Sequence, residues 1–185
     1  MKEISVSFFA QDTLNIAKNL LGKIISVNGF LVRIVETEAY CDDAASHART
    51  KTERSRIMHE TYGYSYVYLI YGMYHCLNFT TSKGPGAVLI RAVEPLNRID
   101  EMKQRRGVNN KQNLCSGPGK LCQALGIDKS LNELKLGDKI KILDDGFIPA
   151  KIGKSSRIGI TEAADLEWRF FIEDNEYVSK AKFNK

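Results

Sequence analysis

Histidine is scarce in this chain: 185 residues hold three, His47, His59 and His75. Four cysteines, Cys41, Cys76, Cys115 and Cys122, form no Cys-x-x-Cys pair. That set offers neither a zinc quartet nor the spacing of a secreted disulfide scaffold, so no metal is expected and the thiols read as reduced and structural. No apolar run approaches the ~20 residues of a membrane-spanning helix, and the opening Met1-Lys2-Glu3-Ile4 lacks the apolar core of a signal peptide. A cytoplasmic protein with no membrane contact is expected. Repeats, low-complexity segments and long linkers are missing as well, which leaves one domain over residues 1–185, with 43% hydrophobic content to fill a core.

What is present is a mild excess of positive charge and an unusual density of tyrosine. Lys+Arg number 27 against 22 Asp+Glu, a formal charge of +5, which modestly favours a polyanionic partner. Between Tyr66 and Asn78 four tyrosines surround one glycine, flanked by apolar β-formers. The run reads as a hairpin turning at Tyr71-Gly72-Met73, where glycine supplies the positive φ of a tight turn and large side chains stand at an exposed tip.

Periodicity places an amphipathic helix within Phe8 to Ile25, with Asp12 or Thr13 as cap and Gly22 as stop, and further helices over Arg98 to Arg106 and Gly119 to Leu125. Strands are expected at Leu31–Tyr40, Tyr64–Ile70, Tyr74–Thr80, Ala87–Val93 and Lys139–Leu143, near Arg157–Ile160 and at Phe170–Ile172. Residues 44–61 lack periodicity and read as a loop. Strands that follow one another directly imply an α+β fold: a mainly antiparallel curved β-sheet with flanking helices and an inserted aromatic β-hairpin.

Strand parity assigns chemistry. In Leu31–Tyr40, alternation puts Glu36, Glu38 and Tyr40 on one face, provided the strand is regular, so a carboxylate and an aromatic ring share a site. Tyr66 and Tyr68 share a face of the next strand; packing alone would also account for each tyrosine. Arg91 interrupts the apolar Ala87–Val93 run, and a guanidinium there needs a carboxylate or a wet anion-binding cleft. Glu36, Glu38 and Glu94 are the candidate partners.

Seven blocks, in order over most of the chain, carry a resemblance: Arg33-Ile-Val-Glu-Thr-Glu-Ala-Tyr40, Ala45-Ser-His-Ala48, Arg54-Ser-Arg-Ile-Met58, Tyr66 to Asn78, Val88 to Pro95, Cys115 to Ile127 and Arg157-Ile-Gly-Ile160. The chain resembles the alkyladenine (3-methyladenine or alkylpurine) DNA glycosylases. The resemblance implies a monofunctional, nucleoid-associated, monomeric enzyme without cofactor, whose partner is double-stranded DNA containing damaged purines. Glu38 would activate water with Arg91 positioning it; Tyr40, His47 and Tyr68 would sandwich the flipped base, and Asn78 would narrow the site against the 2-amino group of guanine. Tyr71, with Met73 beside it at the tip, would fill the gap left in the duplex. In this reading Tyr66 and Tyr74 are left to packing.

Basic segments, Arg49-Lys51-Arg54-Arg56, Lys103-Arg105-Arg106 and Lys151-Lys154-Arg157, are candidates for backbone phosphates, with Arg54 and Arg56 expected on the DNA. Lys120, in the turn Gly117-Pro118-Gly119-Lys120 that opens a helix, is the strongest single phosphate candidate. The same turn faintly resembles the helix-hairpin-helix of lyase-type glycosylases, in which a lysine forms a Schiff base. A non-catalytic nucleic-acid-binding module is the other alternative; it explains the charge and the aromatics but not Glu38 beside Tyr40 with Arg91 opposite. Cys41-Asp42-Asp43-Ala44 and Arg49 to Glu53 depart from the family's pattern, so that wall of the site is expected to differ in shape.

Overall fold

The computed structural model describes residues 1–82 and 84–180. Among the described residues nine strands form one antiparallel sheet: β1 (Lys2–Glu3), β2 (Ile24–Val27), β3 (Phe30–Tyr40), β4 (Ser65–Ile70), β5 (Tyr74–Thr81), β6 (Gly86–Pro95), β7 (Ile140–Asp144), β8 (Ile152–Ser155) and β9 (Arg169–Ile172). Their order is β1-β7-β2-β3-β6-β5-β4, with β9 joined to both β3 and β8. Flanking it, among the same described residues, are four α-helices: α1 (Thr13–Asn19), α2 (Arg56–Glu60), α3 (Ile99–Arg106) and α4 (Pro118–Leu125). α1 packs on β3 and β6, α4 packs on β5 and β6, and α3 leans on α4. Phe9, Ile16, Leu20, Phe30, Phe79, Ile90, Met102 and Leu114 fill the space between, all essentially without solvent exposure. This is the expected α+β architecture with an antiparallel sheet.

The centre of the sheet is the long strand β3, whose stretch Leu31 to Val35, apolar except for Arg33, gives way to Glu-Thr-Glu. Its first half pairs with β2 and its second half, at Glu36 to Glu38, with β9 along the same side. The change of partner coincides with an irregularity against β6, where Ile34 faces Val93, Glu36 faces Ala92 and Thr37 faces Ile90. Val35 and Arg91 fall in the gaps of that register. A bulge of this kind locally breaks the alternation and re-aims side chains, the usual use of bulges next to active sites. Glu36 and Glu38 consequently both reach Arg91 from one strand.

Three boundaries differ from the sequence reading. The Phe8 to Ile25 segment is a 3₁₀ turn (Val6–Phe9), then α1 capped by the Asp12 side chain on Asn15 N, then the start of β2. Leu20 and Leu21 satisfy both a helical stripe and the approach to a strand, so periodicity merged the two. Residues 44–61 are not wholly loop: a 3₁₀ turn (His47–Arg49) and α2 lie within them. α2 is too short for a periodic signal and forms because Ile57 and Met58 are buried against Ala48, Tyr66 and Ala87. Finally, Arg157–Ile160 is not a strand; β8 lies earlier, at Ile152–Ser155. From Arg157 onward the chain leaves the ladder because the Arg157 guanidinium is drawn inward and the next amide is taken by a carboxylate, as described below.

The β4–β5 hairpin stands out from this frame. Met73 N donates to Ile70 O at 3.2 Å across Tyr71 and Gly72, whose φ values are +53° and +68°. Positive φ at both central residues is the requirement of a type I′ turn, whose twist matches that of the strands. Glycine meets it without strain, whereas Tyr71 is a bulky residue in left-handed backbone, a cost of order 1–3 kcal/mol that the hairpin pairing sustains. Tyr71 is 77% exposed and Met73 66%. The base of the hairpin rests on α4: a Cβ placed on Gly119 would meet the Tyr74 side chain at 3.0–3.2 Å, so a larger residue there would have to push the Tyr74 ring aside.

Candidate active site

A cavity of about 560 Å³ opens between the hairpin, the N-terminal turn of α4 and the segment Ile158–Ile160. Its walls include Tyr40, His47, Tyr68, Tyr71, Cys76 and Arg91. A narrow recess continues from it, bounded by Tyr40, His47, Met58, Tyr66, Tyr68 and Asn78. Thus residues 40, 47, 68 and 78, distant in sequence, line one continuous concavity.

Behind the wall lies Glu38, fully buried. Its Oε2 accepts the Tyr40 hydroxyl at 2.9 Å, its Oε1 accepts Ile158 N at 2.7 Å, and Arg91 Nη1 stands 3.3 Å from Oε1. Burial pushes the Glu38 carboxyl above its usual range; Arg91, the Ile158 amide and the Tyr40 hydroxyl pull against this, and the neighbouring Glu36 adds to it. Two hydrogen bonds and one ion-pair contact leave part of the carboxylate's acceptor capacity free, and its partners Tyr40, Arg91 and Ile158 all line the cavity. Tyr40 keeps its hydroxyl proton because burial and the adjacent Glu38 both raise its pKa.

The aromatic wall is held by polar contacts at its edges. His47 Nδ1 and the Tyr66 hydroxyl are 2.9 Å apart, and the His47 ring meets Tyr68 edge-on at 5.1 Å between centroids. Burial, helped by the Arg54 charge, lowers the His47 pKa, so the imidazole is neutral at neutral pH. Arg54 lies over the Tyr68 ring, its guanidinium carbon 4.9 Å from the centroid. Asn78 is buried, and its side-chain amide donates to Tyr66 O at 3.0 Å, which fixes which way it presents to the recess. Burial raises the Cys76 thiol to about 11, so this wall residue is an uncharged thiol.

Some residues have other placements than the sequence reading gave them. Tyr66 is more than packing, since it bounds the recess and bonds to His47. Tyr74 is 46% exposed and lines the cavity mouth. Arg157 does not face phosphates: its side chain is buried, bidentate on Asp43 at 2.6 and 3.1 Å, donating to Ala39 O at 3.0 Å and stacked between Tyr40 and Trp168 at 4.7 and 5.2 Å. Lys151 and Lys154 pair at the surface with Glu173 and Glu167. Arg56 is engaged by Glu53, Glu60 and Glu133. Lys120 donates to Asn113 and lines a separate cleft of about 250 Å³ with Ser116 and Glu176, so it is not brought into the aromatic cavity. Ile158 was missed: its contribution is a backbone amide, which no side-chain pattern advertises.

Among the described residues no group of three or more His, Cys, Asp or Glu side chains could hold a metal ion, and no helix is long and apolar enough to cross a membrane. A model of the Methylpurine-DNA glycosylase family matches residues 7–176. A Clostridium novyi protein named provisionally as a 3-methyladenine DNA glycosylase is 47% identical over 97% of this chain and 100% of its own length. Proteins of the same provisional name from Rhizobium etli and Clostridium perfringens are 48% and 44% identical, each over 94% of this chain and over 87% and 97% of their own lengths. With the match covering nearly the whole chain, the buried glutamate and its aromatic cavity belong to a member of the methylpurine-DNA glycosylase family, a hydrolase of N-glycosyl bonds in DNA that serves base excision repair.

Proposed function

We propose that this glycosylase extrudes damaged purines from duplex DNA, stacks them between Tyr40, His47 and Tyr68, and hydrolyses the glycosidic bond with a water activated by Glu38. The observation that carries this reading is the placement of a fully buried carboxylate, held by Arg91 and the Tyr40 hydroxyl, directly behind the wall of an aromatic cavity.

A base inside a duplex hides its glycosidic bond, so extrusion must offset a few kcal/mol of lost stacking. Tyr71 and Met73 at the exposed tip supply an apolar wedge for the vacated step, and the tyrosine wall restacks the base. Bond cleavage builds positive charge on the sugar; ionised Glu38 stabilises it and takes a proton from the attacking water. Alkylated purines such as 3-methyladenine and 7-methylguanine are cationic leaving groups, and an electron-rich wall favours them. Hypoxanthine and ethenoadenine are neutral and need further help to depart. Asn78, with its amide oriented by Tyr66 O, limits the depth of the recess and so the exocyclic groups it admits. Arg54 at the cavity rim and Lys120 in the neighbouring cleft contact phosphates around a monomer on its DNA.

The lyase alternative would need Lys120 at the sugar, yet its ammonium is turned to Asn113 in another cleft. The direct test is incubation with duplexes carrying hypoxanthine, ethenoadenine or 7-methylguanine, in EDTA. Free base should appear, with strand scission only after alkali, and Glu38→Gln should lose about 10²–10⁴-fold in rate while retaining lesion binding. Full turnover by that variant would overturn the mechanism.

A further inference from the structure

Glu36 has no task in the chemistry above, yet it is fully buried beside it. Its Oε1 accepts Arg91 Nε at 3.2 Å, Arg169 Nε at 2.6 Å and the Ser179 hydroxyl at 2.8 Å, and its Oε2 accepts Ser179 N at 2.8 Å. Arg91 is divided: Nε goes to Glu36 while Nη1 faces Glu38. Two carboxylates from one strand thus share one guanidinium, and the second guanidinium, from β9, balances the charge. A pair needed for stability alone would be complete with Glu36 and Arg169; the division of Arg91 couples that pair to the site.

We propose that Glu36 is a positioning residue for the reaction: it fixes the Arg91 guanidinium and, through that shared cation, sets how readily Glu38 ionises. The proposal rests on Glu38 acting as the general base. Among the described residues the groups around Glu38 are the Tyr40 hydroxyl from β3, Arg91 from β6, Cys76 from β5, the Ile158 amide, Arg169 opposite it on β9, and Glu36. Tyr40 and Cys76 both stay protonated at working pH, and the guanidiniums stay charged. Glu36 is therefore the other anion of the cluster, and its charge opposes ionisation of Glu38. Removing that charge eases ionisation. Removing Arg169 instead leaves Glu36 to draw Arg91 away from Glu38 and hinders it.

The experiment is the pH profile of single-turnover excision of 7-methylguanine from duplex DNA, a cationic base whose departure needs no proton of its own. Glu36→Gln should move the acid limb down by about one pH unit and Arg169→Gln should move it up, with duplex binding unchanged, since neither residue lines the cavity. The charge-balanced double variant should return toward the parent, and it carries the test with Arg169→Gln should Glu36→Gln fail to fold. A purely structural role predicts unmoved limbs, or shifts of one sign in both variants; either result, with Glu38→Gln inactive, overturns the proposal alone. Retained excision by Glu38→Gln overturns the underlying reading and the proposal with it.

Discussion

Replacing Arg157 by methionine should damage stability and rate together. The side chain bonds to both oxygens of Asp43 and to Ala39 O, and its guanidinium lies between the Tyr40 and Trp168 rings. Methionine keeps much of the volume but leaves Asp43 as a buried, unpaired carboxylate. Removing one partner of such a pair costs about 3–5 kcal/mol. For a chain of this size each kcal/mol lowers the melting midpoint by about 2–4 °C, so Arg157→Met should melt about 6–20 °C below the parent. The same change frees the back of the Tyr40 ring and the segment that brings Ile158 N to Glu38, so the turnover number should fall as well as the affinity. The assays are thermal unfolding by circular dichroism and excision under saturating enzyme. Changing Asp43→Ala in addition should recover part of the lost stability, because no buried charge is then left alone. A variant that melts within about 2 °C of the parent and excises at the parental rate would refute the reasoning.

Two further outcomes follow from the same geometry. Tyr71→Ala should reduce excision from duplex DNA by about tenfold, the scale of a base–aromatic stack of about 1–3 kcal/mol, while excision from a single-stranded oligonucleotide changes little; equal losses on both substrates would return Tyr71 to a packing role. The raised pKa of Glu38 also has a consequence for stability. A carboxyl whose folded pKa exceeds its unfolded value binds its proton more tightly when folded, so the parent loses stability as pH rises from the unfolded value, about 4.3, through the raised folded one. Glu38→Gln lacks that loss, and its stability relative to the parent should rise over the same window in urea titrations; a pH-independent difference would contradict it.

The main features of the site were legible along the chain because strands carry their chemistry at a period of two. Glu38 beside Tyr40, Tyr68 on the cavity wall, Tyr71 at the exposed tip and the out-of-place charge of Arg91 facing carboxylates are local facts that the structure repeats, whereas Tyr66 and Tyr74 have more than the packing role read for them. Asp12 as helix cap and Gly72 in the turn were equally local. What was not legible depends on contacts over long separations. α2 exists because Ile57 and Met58 find a buried surface, and Arg157–Ile160 leaves the sheet because Asp43 and Glu38 lie more than a hundred residues away.

The sequence by itself determined an antiparallel sheet, an exposed aromatic tip and the family, since alternation, turn chemistry and ordered blocks are properties of neighbouring residues. Tertiary structure alone decided how the charges are apportioned. Whether a guanidinium meets a phosphate, as Arg157 was expected to, or a buried carboxylate depends on burial and on the partner opposite, and neither is written next to it in the chain. The same holds for Glu36 and Glu38, identical residues two positions apart: the irregularity in β3 and the approach of β9 and Ser179 give one of them two cations and a hydroxyl, and leave the other with a shared cation at the cavity wall.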